Sequence, residues 1–106
     1  MTTPTAADKP LEKRPRIKLS KTAWAKLRQY VIGRDGACVV CGYAGSMAPA
    51  HVKGRGAGGN DSPNNVVWLC QVGPNMTEGC HPKYDRYEIV LPYDIYYMLR
   101  SEPERL

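Results

Sequence analysis

Six residues carry the chemistry whose spacing is most informative: four cysteines and two histidines. Cys38-x-x-Cys41, followed by Gly42, has the spacing of a knuckle turn that aims two thiolates at one ion. Cys70 and Cys80 form the natural second half of a tetrahedral four-thiolate site, with a longer loop between them. All four cysteines are then used and none is left over. A CxxC redox site needs a thioredoxin-like βαβ context, which the sequence lacks. His51 lies between the two halves of the cysteine framework, and His81 directly follows Cys80.

The elements that must position these residues can be read from pattern. The chain has 106 residues, enough for one small domain with a tail. Such a domain buries a limited core, and structural zinc would supply folding free energy directly. Residues 1–19, interrupted by Pro4, Pro10 and Pro15, read as a basic, extended or flexible arm. Residues 20–106 read as the folded domain, with its motifs in 38–88. Ser20 is a candidate N-cap for "KTAWAKLRQYVIGR", whose Trp24, Leu27, Tyr30 and Val31 make an amphipathic stripe. Gly33 and Gly36 are expected to end that helix. "MAPAHVK" predicts a short strand around His51, and "VVWLC" predicts a second. "CHPKYDRYEIV" predicts a short helix starting near Cys80, and the tyrosine-rich tail predicts a last one packed on the core. Trp24 and Trp68 sit in apolar periodic positions and are expected in the core.

Charge is uneven. The net value is +5, but residues 1–34 hold nine Lys/Arg against Asp8 and Glu12, leaving the remainder slightly acidic. A basic arm on a near-neutral domain suits a polyanionic partner, nucleic acid by default, or serves as a solubilising tail. No apolar run reaches the length of a membrane span, and the N-terminus has no signal-peptide apolar region. These features predict a cytoplasmic protein with no membrane partner, and disfavour disulfides.

Three segments together, "WAKLRQYVIGRDGACVVCG", "AHVKGRGAGGNDSPNNVVWLC" and "CHPKYDRY", resemble the HNH endonucleases, most of all small zinc-stabilised phage and bacterial members. The resemblance covers roughly residues 22–88. It implies an α+β chain with the small ββα-metal (His-Me finger) fold, a preceding amphipathic helix and a four-cysteine structural zinc site. By resemblance His51 is the general base, a role suited to histidine's near-neutral pKa. Asn65, rather than Asn64, is the Asn that bridges the loop and orients the base. His81 binds a catalytic divalent ion, Mg²⁺ or Mn²⁺, whose coordination shell keeps water and phosphate oxygens. DNA is the implied substrate, with phage DNA processing beside a terminase, or another DNA-processing partner, as the implied setting.

One position departs from the family pattern. Many members place Asp or His directly before the base, and this chain has Ala50 there. Asp85, one helical turn after His81, is a candidate second ligand, or else a surface ion-pair partner. Asp61 is another candidate ligand, or else a turn cap before Ser-Pro. Lys53 and Arg55, among glycines beside His51, are candidate DNA phosphate contacts. The alternative to a nuclease is a zinc-stabilised nucleic-acid-binding module without catalysis, which Ala50 favours. A zinc-knuckle protein adaptor is a third reading, hinted at by "YDIYYM".

Overall fold

The computed structural model describes residues 16–106. The first fifteen residues of the expected basic arm lie outside the described residues. Helix α1 spans Lys21–Asp35. Strands β1, Ser46–His51, and β2, Val66–Val72, form a two-stranded antiparallel sheet. Two short helices follow, α2 over Cys80–Asp85 and α3 over Tyr93–Arg100. The architecture is therefore a small α+β arrangement, with α1 on one face of the hairpin and the cysteine knuckle, α2 and α3 on the other.

Helix α1 begins where the sequence places it. The Ser20 hydroxyl accepts from the Ala23 N–H, satisfying one of the unpaired donors of the first turn. The helix runs through Gly33 and stops only at Gly36, whose φ of 73° lies in the region that favours glycine. Of the expected stripe, Leu27 and Val31 are fully buried and pack on Val66 and Trp68 of β2, with Trp24 partly buried beside them. Tyr30 is the exception. It is exposed, and its hydroxyl donates to Glu102 at 2.8 Å, tying the helix to the C-terminal tail.

Strand β2 is buried along most of its length because it is covered on both faces. Val66 and Trp68 face α1, while Val67 and Leu69 join Cys38, Ala50, Cys80, Leu91 and Leu99 on the other side. Strict alternation breaks at Cys70, which also joins the second cluster, where the register with β1 slips between Ser46 and Met47. The register pairs His51 with Val66 and Ala50 with Val67. Successive β1 side chains point to opposite faces, so Ala50 lies in the cysteine-side core and His51 turns toward α1.

Two departures from the expected organisation matter for the site. Residues 16–19 belong to the folded domain rather than to a flexible arm. Ile17 is buried, its N–H donates to Asn60 Oδ1 at 2.7 Å, and its carbonyl accepts from the Asp61 N–H at 2.8 Å. The second departure is Arg34, one of the basic residues expected to face a polyanion. Its side chain is turned inward, donating to the carbonyls of Pro63 at 2.7 Å and Val66 at 2.6 Å, and to Glu102 at 3.1 Å. Asp35 completes the clamp by pairing with Arg34 and accepting from the Trp68 N–H at 3.0 Å.

Replacing Arg34 by Ala should leave the Pro63 and Val66 carbonyls and the Asp35 carboxylate without their donor. A loss of about 2–4 kcal/mol is expected from charge-assisted bonds in a half-buried setting. Urea denaturation of Arg34→Ala against Lys21→Ala, an exposed basic neighbour, measures it. Equal midpoints would show that the clamp carries no stability.

Candidate active site and metal centre

The four cysteine sulfurs converge. Their Sγ atoms lie within 4.8 Å of one another, with Cys41 and Cys70 3.7 Å apart. Ligands about 2.3 Å from a tetrahedral ion stand about 3.8 Å from each other, so this donor set fits a metal such as zinc. Cys38 and Cys41 come from a tight turn closed by the Gly42 N–H donating to the Cys38 carbonyl. Cys70 lies in β2, and Cys80 is the first residue of α2. Burial pushes the Cys38 thiol up, but backbone N–H groups of Cys41, Cys70 and Val40 outweigh it and bring the value down to about 7. The Cys80 N–H donates to Cys70 Sγ at 3.2 Å, a further donor aimed into the cluster.

His51 ends β1 and is held on three sides. Its Nε2 is 2.8 Å from Asp61 Oδ1. Its ring stacks on Trp24 with centroids 5.6 Å apart and planes 2° from parallel. Arg55 lies over the other partner of that stack, 5.3 Å from the Trp24 ring centroid, and its Nε is 3.6 Å from Asp61 Oδ1. Arg55 Nε also approaches His51 Nε2 at 3.4 Å, but the shorter contact to a carboxylate decides the tautomer. An ionised carboxylate only accepts, so Nε2 carries the proton and Nδ1 keeps its lone pair. Among the described residues no hydrogen bond reaches Nδ1. Burial lowers the His51 pKa, as do Arg55 and Arg16, and these outweigh the opposing pull of Asp61. The ring is therefore neutral near neutral pH, with a free base at Nδ1.

Asp61 is the residue that sequence reasoning placed in the wrong company. Its carboxylate is buried and committed to His51, to the Leu19 N–H at 3.0 Å and to Arg16 at 3.2 Å. It caps no turn before Ser62-Pro63, and its oxygens are taken by donors rather than open to an ion. Burial would raise its pKa, yet the Leu19 N–H, His51 and Arg16 hold it below the ordinary carboxylate value. The only sequence signal was its position between an Asn and Ser-Pro in a glycine-rich loop.

Asn65 spans that loop. Its Oδ1 accepts from the Lys53 N–H at 2.8 Å, and its Nδ2 donates to the carbonyls of Lys53 at 3.0 Å and Asn60 at 2.9 Å. Asn64 instead accepts from Ser62 Oγ. Gly59 is required within the same loop, because a Cβ there would run into the Lys53 carbonyl. That glycine makes room for the loop's own backbone. Lys53 and Arg55 are exposed. Arg55 shares a groove of about 330 Å³ with Arg16, Lys18, Lys21, Trp24 and Asp61, so the start of α1 with the residues before it and the loop after β1 form a mainly basic wall around one buried carboxylate.

His81 sits in the first turn of α2, next to Cys80. Its Nε2 is 3.2 Å from the carbonyl of Pro49, two residues before His51, and its Nδ1 is 3.0 Å from Asp85 Oδ2. A carbonyl only accepts, so Nε2 carries a proton. The Asp85 contact is an i,i+4 pair on α2 whose carboxylate is exposed. The expected surface partner of Asp85, a basic neighbour, is replaced by His81. Asp85 and His51 line one cleft of about 250 Å³, with Tyr84 and Tyr87 at its wall. Ala50 is 2 % exposed inside the core and contributes no donor.

Among the described residues no helix is long and apolar enough to cross a membrane. Comparison of the chain with protein-family models, curated proteins and solved structures returns no match.

Metal analysis of freshly purified protein should find one equivalent of a thiophilic metal such as zinc, and Cys38→Ser should lower both metal content and thermal stability. Metal-free protein with an undiminished melting transition would remove the cluster's structural role. A second expectation concerns pH. His51 and Asp61 both have folded values below their ordinary 6.5 and 3.8. The unfolded chain therefore binds more protons as pH falls, and stability present at neutral pH is lost, first below about 6.5 and again below about 3.8. His51→Gln should flatten the first part of that profile in denaturation at pH 7.5 and 5.5.

Proposed function

We propose that this protein is a metal-dependent DNA endonuclease of the HNH type, with a zinc-stabilised ββα-metal fold. The observation that carries the reading is the His51–Asp61 pair at 2.8 Å, in a histidine that lines the same cleft as Asp85. In this reading Nδ1 takes a proton from a water as its oxygen attacks the phosphorus of a phosphodiester. The P–O3′ bond breaks, the leaving oxygen is protonated from solvent, and the imidazolium later returns its proton to water. Asp61 holds the tautomer throughout and stabilises the imidazolium, as a buried carboxylate does beside a catalytic histidine.

His81 and Asp85 would hold the Mg²⁺ or Mn²⁺, which supplies positive charge for the phosphate and the departing oxygen when bound. The Pro49 carbonyl fixes the His81 ring with Nδ1 toward Asp85, and the cysteine cluster fixes the start of α2. Asn65 keeps the loop after β1 in place, with Lys53 on it and Arg55 stacked on Trp24. The exposed Lys18, Lys21 and Arg55 of the mainly basic wall support a DNA partner through salt-sensitive phosphate contact. A single site of this kind serves one strand, so nicking is the expected product. Phage DNA processing remains the setting implied by the sequence resemblance.

A binding module without catalysis is the second reading. Ala50 favours it, because a two-residue ligand set is weak and the position before His51 is closed inside the core.

Supercoiled plasmid incubated with Mg²⁺ or Mn²⁺ should be nicked, and His51→Ala should slow nicking about 10²–10⁴-fold, the usual contribution of a general base. Asp85→Ala should raise the metal concentration needed. Because His51 titrates below 6.5, activity should persist into mildly acidic buffer before it falls. Intact plasmid with native protein, alongside a retained gel shift, would leave the binding module.

A further inference from the structure

The catalytic cleft does not end at His51. It shares Val52 and Tyr96 with a second, larger groove of about 490 Å³ along α3. Tyr93, Tyr97 and Arg100 of α3 line that groove, with Asn64 of the loop before β2. The core does not use these tyrosines. Tyr93 is 79 % exposed and Tyr97 63 %, whereas Leu99 on the same helix is buried. Their rings stand 6.5 Å apart and inclined by 41°, so neither covers the face of the other. Tyr87, at the wall of the cleft, is 94 % exposed and has a left-handed backbone, with φ of 61°. That conformation closes the end of α2, where the Tyr87 N–H donates to the Tyr84 carbonyl and the Glu88 N–H to that of Lys83, and it leaves the Tyr87 ring in solvent.

We propose that this groove binds unpaired nucleotides, making the preferred substrate a single strand or the single-stranded flank of a nick, gap or flap. The proposal rests on the nuclease reading for the role of the adjoining cleft. The argument for the occupant is chemical. Open phenol faces stack on bases of any sequence, but only bases released from a duplex offer a face. Among the described residues the charged side chain lining the groove is Arg100, a cation suited to the phosphate between stacked bases. The groove borders the cleft that holds His51, with Val52 and Tyr96 common to both, so a strand stacked on Tyr93 and Tyr97 lies next to that cleft.

The test uses the full-length protein without added Mg²⁺ or Mn²⁺, so that binding is read apart from cleavage. Fluorescence anisotropy with a labelled 12-nucleotide single strand, and with the duplex of the same sequence, is compared across variants. The double variant Tyr93→Ala, Tyr97→Ala should bind the single strand at least tenfold more weakly. Duplex affinity should change less than threefold, since the Arg16–Arg55 wall is untouched. The pair Tyr93→Phe, Tyr97→Phe should stay within twofold of native on both, because stacking needs the ring and not the hydroxyl. Unchanged melting curves verify the fold, as both side chains are exposed. Native-like single-strand affinity in the Ala pair would overturn the proposal and leave the face to a protein partner. An equal loss on duplex would overturn it as well. If the Ala pair loses single-strand binding while native protein with Mg²⁺ or Mn²⁺ cleaves neither plasmid nor the single strand, the groove stands and the nuclease reading falls. If His51-dependent nicking occurs with single-strand binding untouched, the groove alone falls.

Discussion

A helix of six residues cannot hold itself together in water, since nucleation costs more than its few hydrogen bonds return. Helix α2 exists because its first residue brings a sulfur to the point where Cys38, Cys41 and Cys70 already converge. That convergence joins the turn after α1, the middle of the sheet and the start of α2. A domain of this size buries a limited core, here split between two faces of a two-stranded sheet. The residue next to Cys80 is His81, so whatever fixes the cluster also fixes that histidine against Pro49 of β1.

The second organising centre is polar. Asp61 is a buried carboxylate, and a buried charge is tolerated only when donors surround it. Here the donors are His51, Arg16 and the Leu19 backbone, which reach it from β1 and from the segment before α1. One charge thereby holds the leading segment on the domain and sets which nitrogen of His51 carries a proton. Structure and candidate chemistry share the same atoms, so the site is hard to loosen without loosening the chain before α1. Arg34 plays the complementary part on the other side of the loop. It ties the end of α1 to the carbonyls of Pro63 and Val66, on either side of Asn65.

The cluster of cysteines was legible because thiolate spacing is a local property. Two thiolates on a knuckle need two more, and only two more exist. The start of α1 was legible for the same reason, since Ser20 and the first turn are neighbours in sequence. Tyr30 was misread because a hydrophobic stripe marks a face and says nothing of what stands opposite. Its ring looks outward, toward Glu102. Trp24 was read as core and does pack there, but its other face covers His51, a contact between residues 27 positions apart that no periodicity encodes.

By itself the sequence determined the four cysteines that could hold a metal, the presence of two strands and their flanking helices, and the residues with chemistry to offer. These follow from spacing and from side-chain type, which are written along the chain. Only the tertiary structure decided what each titratable group meets. Asp61 became the partner of His51 rather than a free ligand, and Asp85 became the partner of His81. Arg16 and Arg34 turned inward, and residues 16–19 joined the domain. The physical reason is that a buried charge takes its meaning from the donors and acceptors within about 3 Å, and loops bring those from distant parts of the chain. A glycine-rich loop carries almost no local signal of its path. Here that path was set by one asparagine side chain and three backbone groups it reaches.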